Sequence, residues 1–386
     1  METLNIGMIG AGFMGKAHST ALAAMPMFFW PAPAIPIRKV VAEATEDLAR
    51  EAAARFGFQS HASDWRQVIE DSSVDAVDIV TPNNLHAEIA IAAARAGKHI
   101  LCEKPLAATS EEARGMLDAV ERAGVIHMVA FNYRRTPAVL LAKKLIDDGA
   151  IGTLLNYRAT YLQDFSADPL MPITWRHQKS VAGSGTLGDI ASHAIDMARF
   201  LVGEIAAVSG MVHTYIKERP EVESSANSAT QPSTSIVDVD DEVVSLLRFE
   251  NGVVGSLEAT RNGYGRHNHL TFEAHGTDGS IVFNYEHRDV LQVFFASDPP
   301  DLRGFRTIFT GPQHPYGEGL WPIPALGLGY IETKIIECYD FVKAIIDATL
   351  PSPNFLDGYR ITRICDAILE SSSSHGWIHL DWKEGA

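Results

Sequence analysis

The sequence predicts an α/β protein in two parts: an N-terminal doubly wound parallel sheet, then a C-terminal α+β domain with a large, open, mainly antiparallel sheet. Three observations predict it. A strand-like run near the N-terminus opens onto a glycine turn and a helix; strand and helix segments then alternate to about residue 131; beyond that, long runs are joined by Asn-Gly and Asp-Gly, the dipeptides of tight hairpins. A chain of 386 residues is too long for one ordinary core, and the boundary falls between 1–131 and 132–386.

The glycine turn comes first. "LNIGMIGAGFMGKAHSTALAAM" sets Gly10, Gly12 and Gly15 between an apolar strand and an alanine-rich helix. The three glycines do different things. Gly10 makes the tight turn, Gly12 lets the backbone approach a pyrophosphate, and Gly15 lets the helix pack on the strand. The N–H groups of the helix N-terminus then face the phosphates. Phe13 and Met14, inside the turn, line the same site. Dinucleotide binding follows from this strand–turn–helix context rather than from the glycines alone.

The second strand is expected over Arg38–Ala42, with Glu43 at its end. A carboxylate there accepts from both ribose hydroxyls and repels a 2′-phosphate, which selects NAD over NADP. Glu43 stands further from Gly15 than the usual spacing because "PMFFWPAPAIPI" intervenes. That stretch reads as a surface loop packed by its own aromatics, with a lid or an oligomer contact as the alternative.

The alternation continues through "VDAVDIVTPNNLHAEIAIAAARAGKHILCEKPLA": a strand, a loop carrying Thr81 and Asn83, a helix from about His86 to Ala96, a strand, and then Glu103-Lys104-Pro105. Ligands of such sheets bind beyond the carboxyl ends of the strands. Thr81, Asn83, His86, Glu103 and Lys104 are therefore expected to contact the cofactor, with Lys104 near its nicotinamide. His18 and His86 also read as residues that cap or pack the helices.

In the second domain, "LLNYRATYLQDF", "AAVSGMVHTYIK", "DDEVVSLLRFENGVVGSLEATRN" and "NHLTFEAHGTDGSIVFNYE" read as long strands. Residues 219 to 236 form a polar, low-complexity stretch expected to be a mobile loop. Between the strands, "GSGTLGDIASHAIDMARFLVG" places Asp189 and His193 four apart, on one face of a helix. Three readings fit the pair. It is a dipole-stabilised acid followed by a histidine, a metal pair, or an acid/base pair; the metal reading lacks further ligands, and no metal is expected.

Composition narrows the partners. Hydrophobic residues make up 46% and charged residues 21%, as in a soluble globular protein, and the net charge of −16 argues against nucleic acid or an anionic membrane surface. A small neutral ligand remains. The three cysteines, Cys102, Cys338 and Cys365, are too few and too scattered for a disulfide framework or a thiolate metal site, which fits a reducing cytoplasm. No secretory signal and no run of about 18 apolar residues is read in the chain.

With "GAGFMG", "TPNNLHAEIAIAAARAGKHILCEKPLA" and "GSGTLGDIASHAIDMARFLVG" in this order, the chain resembles the Gfo/Idh/MocA oxidoreductases. The resemblance implies a Rossmann domain, NAD, and a homo-oligomer, dimer or tetramer, formed through the open sheet. It also implies that the lysine of E-K-P acts with D-x-x-x-H: Lys104, Asp189 and His193 are then catalytic. A base with a pKa near neutrality must take the hydroxyl proton as hydride leaves a carbinol, which suits His193, and a cation at the same oxygen suits Lys104. Asp189 orients Lys104, His193 or the substrate. Tyr133, Gln163, Trp175 and Arg176 join them as candidate substrate contacts, with Arg134 and His177 behind.

Within the family, "AMPMFFWPAPAIPIRKV", "TYLQDFSADP" and "GPQHPYGEGLWPIPALG" resemble members that oxidise a 1,6-anhydro sugar at C3. The implied activity is an NAD-dependent dehydrogenase of a cyclic sugar or polyol. An inositol or other sugar dehydrogenase, an NAD-dependent glycosidase and a non-catalytic sugar sensor are the alternatives.

Overall fold

The computed structural model describes residues 1–221 and 233–382. Two spatial units emerge, one formed by Met1–Pro137 with Thr310–Arg360, the other by Ala138–Phe309 with Ile361–Ala386.

The first unit holds six parallel strands: β1 (Thr3–Ile9), β2 (Ile35–Ala42), β3 (Ser60–Ala62), β4 (Ala76–Ile79), β5 (His99–Cys102) and β6 (His127–Val129). Their order, β3-β2-β1-β4-β5-β6, is that of a dinucleotide-binding sheet, with its switch point between β1 and β4. The crossovers contain α1 (Phe13–Phe28), α2 (Glu46–Phe56), α3 (Trp65–Glu70), α4 (His86–Arg95) and α5 (Ser110–Ala123). Local chemistry sets their ends: Thr45 caps α2, Thr109 and Glu112 form a capping box on α5, and Gly57 and Gly124 close those helices in the left-handed region. Strands β4, β5 and β6 are buried on both faces apart from half-buried His99, as a parallel sheet requires, and each carries one ionisable residue, Asp78, His99 and His127, among apolar ones.

The second unit begins with α6 (Pro137–Asp147) and is built on a nine-stranded sheet. Its strands are β7 (Leu154–Leu162), β8 (Ile205–His213), β11 (Glu242–Phe249), β12 (Val254–Thr260), β13 (His269–Gly276), β14 (Gly279–Asn284), β15 (Val290–Phe295), β16 (Arg306–Phe309) and β17 (Ile378–His379). A separate two-stranded ribbon pairs β9 (Glu218–Pro220) with β10 (Thr234–Ile236). Both expected hairpins form, β11–β12 at Asn251-Gly252 and β13–β14 at Asp278-Gly279. All neighbours are antiparallel except β7 and β12. One face packs against helices, with Tyr157, Leu257 and Phe272 each 1% exposed, and α8 (Ser192–Val202) lies on β7 after the short α7 (Lys179–Ala182). The helices after β16 are α9 (Gly317–Leu320), α10 (Tyr330–Ile346) and α11 (Phe355–Ser374).

Four expectations change. The chain after 131 does not stay in one domain, because α10 packs on α1 and puts Ile335, Cys338, Phe341 and Val342 into the first unit's core. The Pro-rich stretch is not self-packed: α1 runs through Pro26 to Phe28, Phe28 meets Trp321 edge-on at 5.6 Å, and Phe29 lies 4.3 Å from Tyr339. The second strand starts earlier than expected, at Ile35. The polar stretch 219–236 has paired ends and a fully buried Arg219, while the mobility expected of its middle falls on 222–232, outside the described residues.

Candidate active site

In the first unit the glycine turn has the shape a dinucleotide needs. Gly10 has φ +96°, and a Cβ there would meet the Val80 carbonyl oxygen at 2.8 Å; one on Gly15 would come 3.0 Å from the Gly10 carbonyl oxygen. Around Gly12 a Cβ would meet nothing within 4 Å, so the space beside it is open. Helix α1 has no side-chain cap and no acidic residue in its first turn, which leaves that turn's N–H groups and the positive end of its dipole to an anion. Phe13 is 71% exposed at this edge. Glu43 closes the site: its Oε1 accepts the Ala11 N–H at 2.6 Å and its Oε2 the Ala44 N–H at 3.0 Å. These residues fit NAD.

At the end of β5, Lys104 is half-buried and Glu103 is 4% exposed. Glu103 does not point outward as a cofactor ligand. Its Oε1 accepts from Lys334 Nζ at 2.6 Å and lies 3.0 Å from His18 Nε2. Its Oε2 accepts the Lys104 backbone N–H at 3.0 Å. Burial opposes the charge on Glu103, yet Lys334 and His18 outweigh it and hold the carboxyl well below its usual range. For His18 burial pulls the pKa down, but Asp78 and Glu103 win against burial and Lys334 and leave it at about 9. His86 is also interior, fully buried, with its ring nitrogens 3.0 Å from the Thr81 and Pro105 carbonyl oxygens. It ties together the loops carrying Thr81 and Lys104. Asn83 is 7% exposed.

Helix α10 brings residues to this half that sequence reasoning missed. Tyr330 stacks on Phe13 at 6.1 Å and meets Tyr133 edge-on at 6.3 Å, while Thr333 Oγ1 accepts from Asn132 Nδ2 at 2.8 Å. The signal was present but faint: Lys334 and Glu337 fall in the apolar stripe with Ile335, Cys338 and Phe341, where a charge demands a partner. Arg134 donates to Ser352 Oγ at 3.1 Å, and Arg135 pairs with Asp340, so these arginines serve the fold of this unit.

In the second unit, Asp189 sits in a π-helical turn (Leu187–Ala191) that runs into α8, rather than in the expected α-helix. Asp240 forces that start. Its carboxylate accepts the Gly185 N–H at 2.8 Å and the Leu187 N–H at 2.7 Å, and a Cβ on Gly185 would lie 1.9 Å from the Asp240 carbonyl oxygen. Asp189 Oδ2 faces two guanidinium groups, 3.5 Å from Arg261 Nη1 and 4.0 Å from Arg176 Nε. Arg261 is fully buried and was not foreseen, since an arginine in "EATRN" reads as a strand end in water.

His193, 4% exposed, packs edge-on to Tyr161 at 6.1 Å. The Tyr161 hydroxyl donates to Asn268 Oδ1, and Gln163 Nε2 donates to the same oxygen at 2.9 Å. The Arg176 guanidinium, 4.0 Å from Asp189, also lies over the Trp175 ring at 4.4 Å. His177 is the exception: buried, it accepts the Thr174 N–H on Nδ1 and meets Ser166 Oγ through Nε2 at 3.0 Å, and burial with nearby Arg261 and Arg219 lowers its pKa to about 4. It clips the loop and stays neutral. Tyr161, Gln163 and His193 are thus grouped through the Tyr161 ring and hydroxyl, and Asp189 is grouped with Arg176 and Arg261; side chains of these types can bind hydroxyl groups and transfer protons.

Among the described residues no cluster could hold a metal ion, and no helix is long and apolar enough to cross a membrane. Two family profiles match the chain, "Oxidoreductase family, NAD-binding Rossmann fold" over residues 4–131 and "GFO/IDH/MocA C-terminal domain" over 139–282. Levoglucosan dehydrogenase of Pseudarthrobacter phenanthrenivorans is 63% identical over 385 residues, covering 98% of this chain and 99% of that protein. The NAD(+)-dependent scyllo-inositol 2-dehydrogenase of Bacillus subtilis is 32% identical over 74% of this chain and 75% of its own length. A solved structure described as levoglucosan dehydrogenase in complex with NADH and levoglucosan superposes with a TM-score of 0.94 at 64% identity, covering 98% of this chain and 99% of that one.

Proposed function

The chain belongs to the GFO/IDH/MocA oxidoreductase family, and on that premise we propose that it is an NAD-dependent dehydrogenase of levoglucosan, oxidising its C3 hydroxyl to the 3-keto product. The observation that carries oxidoreduction is Lys104 at the carboxyl edge of the dinucleotide sheet, the edge that also holds the glycine turn. The choice of levoglucosan rests on end-to-end likeness to the dehydrogenase of that sugar.

Gly10, Gly12, Gly15 and the first turn of α1 hold the pyrophosphate, and Glu43 takes the adenosine ribose hydroxyls. Bound NAD supplies the hydride acceptor. His193 takes the proton of the reacting hydroxyl on an imidazole nitrogen, and the Lys104 ammonium stabilises the oxygen as negative charge develops on it. Asp189, fixed by Arg261 and Arg176, orients this set, while Gln163, Trp175, Arg176 and Tyr133 bind the ring. The cation and the base then act only where charge appears, which is where stabilisation lowers the barrier.

A second copy of the chain covers the outward face of the nine-stranded sheet, a reading supported by exposed Met211, Val244, Leu246 and Val254. Light scattering at micromolar concentration tests it, and a monomer would remove it. The reaction belongs to a reducing cytoplasm, in keeping with three buried free cysteines. The activity itself is tested by stoichiometry. One NADH per keto sugar is expected, whereas glycoside cleavage without net NADH would make the chain a glycosidase, and sugar binding without turnover a sensor.

A further inference from the structure

The backbone that carries Lys104 is the outer end of a buried ionic cluster. His18 from α1, Asp78 from β4, Glu103 at the end of β5, and Lys334 and Glu337 from α10 are each at most 4% exposed. Asp78 holds His18 Nδ1 at 2.9 Å, His18 Nε2 meets Glu103, and Lys334 bridges Glu103 at 2.6 Å and Glu337 at 2.9 Å. Replacing a buried ionic array with apolar side chains is often neutral or stabilising, so stability alone does not account for one. What this array adds is a fixed carboxylate.

That carboxylate has one oxygen to spare, and it spends it on a backbone group. Glu103 Oε1 faces Lys334 and His18, while Oε2 accepts the N–H of Lys104 at 3.0 Å. The Glu103 N–H donates to the Ile79 carbonyl at 2.9 Å, and the Pro105 carbonyl oxygen meets His86 Nδ1 at 3.0 Å. The segment from 103 to 105 is thereby pinned before, at and after Lys104, while the Lys104 side chain stays half-buried at the sheet edge. A catalytic cation needs such a support, since its distance to the reacting oxygen is set by its backbone.

We propose that Lys334 is a positioning residue for the reaction: through the Glu103 carboxylate it fixes the backbone from which Lys104 projects. This rests on Lys104 being the cation at the reacting oxygen. Lys334 touches neither sugar nor cofactor in this role. It acts from 231 residues away in sequence, by a single charge-assisted bond.

The test is a double-mutant cycle on kcat with Lys334→Met and Lys104→Ala, with NAD affinity followed by fluorescence titration. Lys334→Met alone is expected to lower kcat by up to about 10²-fold, the scale of a misplaced catalytic group, and to leave NAD affinity nearly unchanged. In the Lys104→Ala background it should change kcat by less than about two-fold, since the group it positions is gone. Effects that multiply in the double variant would overturn the proposal. Wild-type turnover in Lys104→Ala would overturn it differently, by removing the role of Lys104 itself. Should Lys334→Met fail to fold, Glu103→Gln takes its place in the same cycle: an amide satisfies Lys334 or the Lys104 N–H but not both, and the same loss of additivity is expected.

Discussion

One carboxylate oxygen of Glu43 accepts the Ala11 N–H at 2.6 Å, so the acid at the end of β2 is fastened to the turn that meets the cofactor. Its other oxygen accepts the Ala44 N–H, which leaves the carboxylate little freedom to swing away. A 2′-phosphate would have to sit against this fixed negative charge, and like-charge juxtaposition costs several kcal/mol. We expect kcat/KM to favour NAD over NADP by orders of magnitude and Glu43→Gln to narrow the gap. Equal values for both cofactors in the wild type would remove the role given to Glu43.

Two neighbouring glycines should fail in different ways. At Gly12 a Cβ meets open space, so Gly12→Ala should leave the thermal midpoint unchanged while it weakens NAD binding at least tenfold, about 1.4 kcal/mol. At Gly15 the Cβ would press on the Gly10 carbonyl oxygen at 3.0 Å, and the variant should lose stability by about 1–3 kcal/mol. Calorimetry and NAD titration on both variants decide. Unchanged NAD affinity in Gly12→Ala would move the pyrophosphate elsewhere.

Lys104→Ala and His193→Ala should each bind NAD almost as the wild type does, because the pyrophosphate and ribose contacts come from other residues. Loss of a positioned acid or base lowers kcat by about 10²–10⁴-fold. Cofactor titration beside steady-state kinetics separates the two effects. Weakened NAD binding with unchanged kcat in either variant would mean the residue serves the cofactor and not the proton.

The buried cluster gives stability a defined alkaline limb. His18 has its pKa raised to about 9 against an ordinary 6.5, so its contribution is complete below about pH 6.5 and is lost as pH rises through 9. At 1.36 kcal/mol per unit this is about 3 kcal/mol. The opposite limb is shared by His177 and by His127, which burial also lowers to about 4 and whose Nδ1 accepts the Phe355 N–H at 3.1 Å. The unfolded chain protonates both first, so stability falls from about pH 6.5 toward 4. Urea midpoints from about pH 4 to about pH 10 for the wild type and His18→Gln test this; an alkaline limb equally steep in the variant would contradict the assignment.

What the sequence made legible was local. The glycine turn, Glu43 after its strand and the two hairpin dipeptides are each set by a few adjacent residues with one physical reading, whereas the spacing of Asp189 and His193 left three. The parts that stayed hidden depend on pairs distant in the chain. Lys334 meets Glu103 across 231 residues, and Arg261 reaches Asp189 from a strand end that reads as solvated. The π-helical turn at Asp189 follows from the carboxylate of Asp240, which lies 55 residues beyond Gly185. The return of α10 to the first unit defeated the linear boundary for the same reason: an apolar stripe shows that a helix is covered, without naming what covers it.

The central claim, oxidation of a bridged sugar, is met most directly by kcat/KM for levoglucosan, free glucose and myo-inositol at matched NAD and pH, read as NADH formed. A 1,6-anhydro ring has no anomeric hydroxyl and presents axial ones, so a pocket built for it leaves buried polar groups unpaired around glucose, which can cost orders of magnitude. The account predicts the highest kcat/KM for levoglucosan. A tenfold preference for glucose or myo-inositol, about 1.4 kcal/mol in transition-state binding, would contradict it.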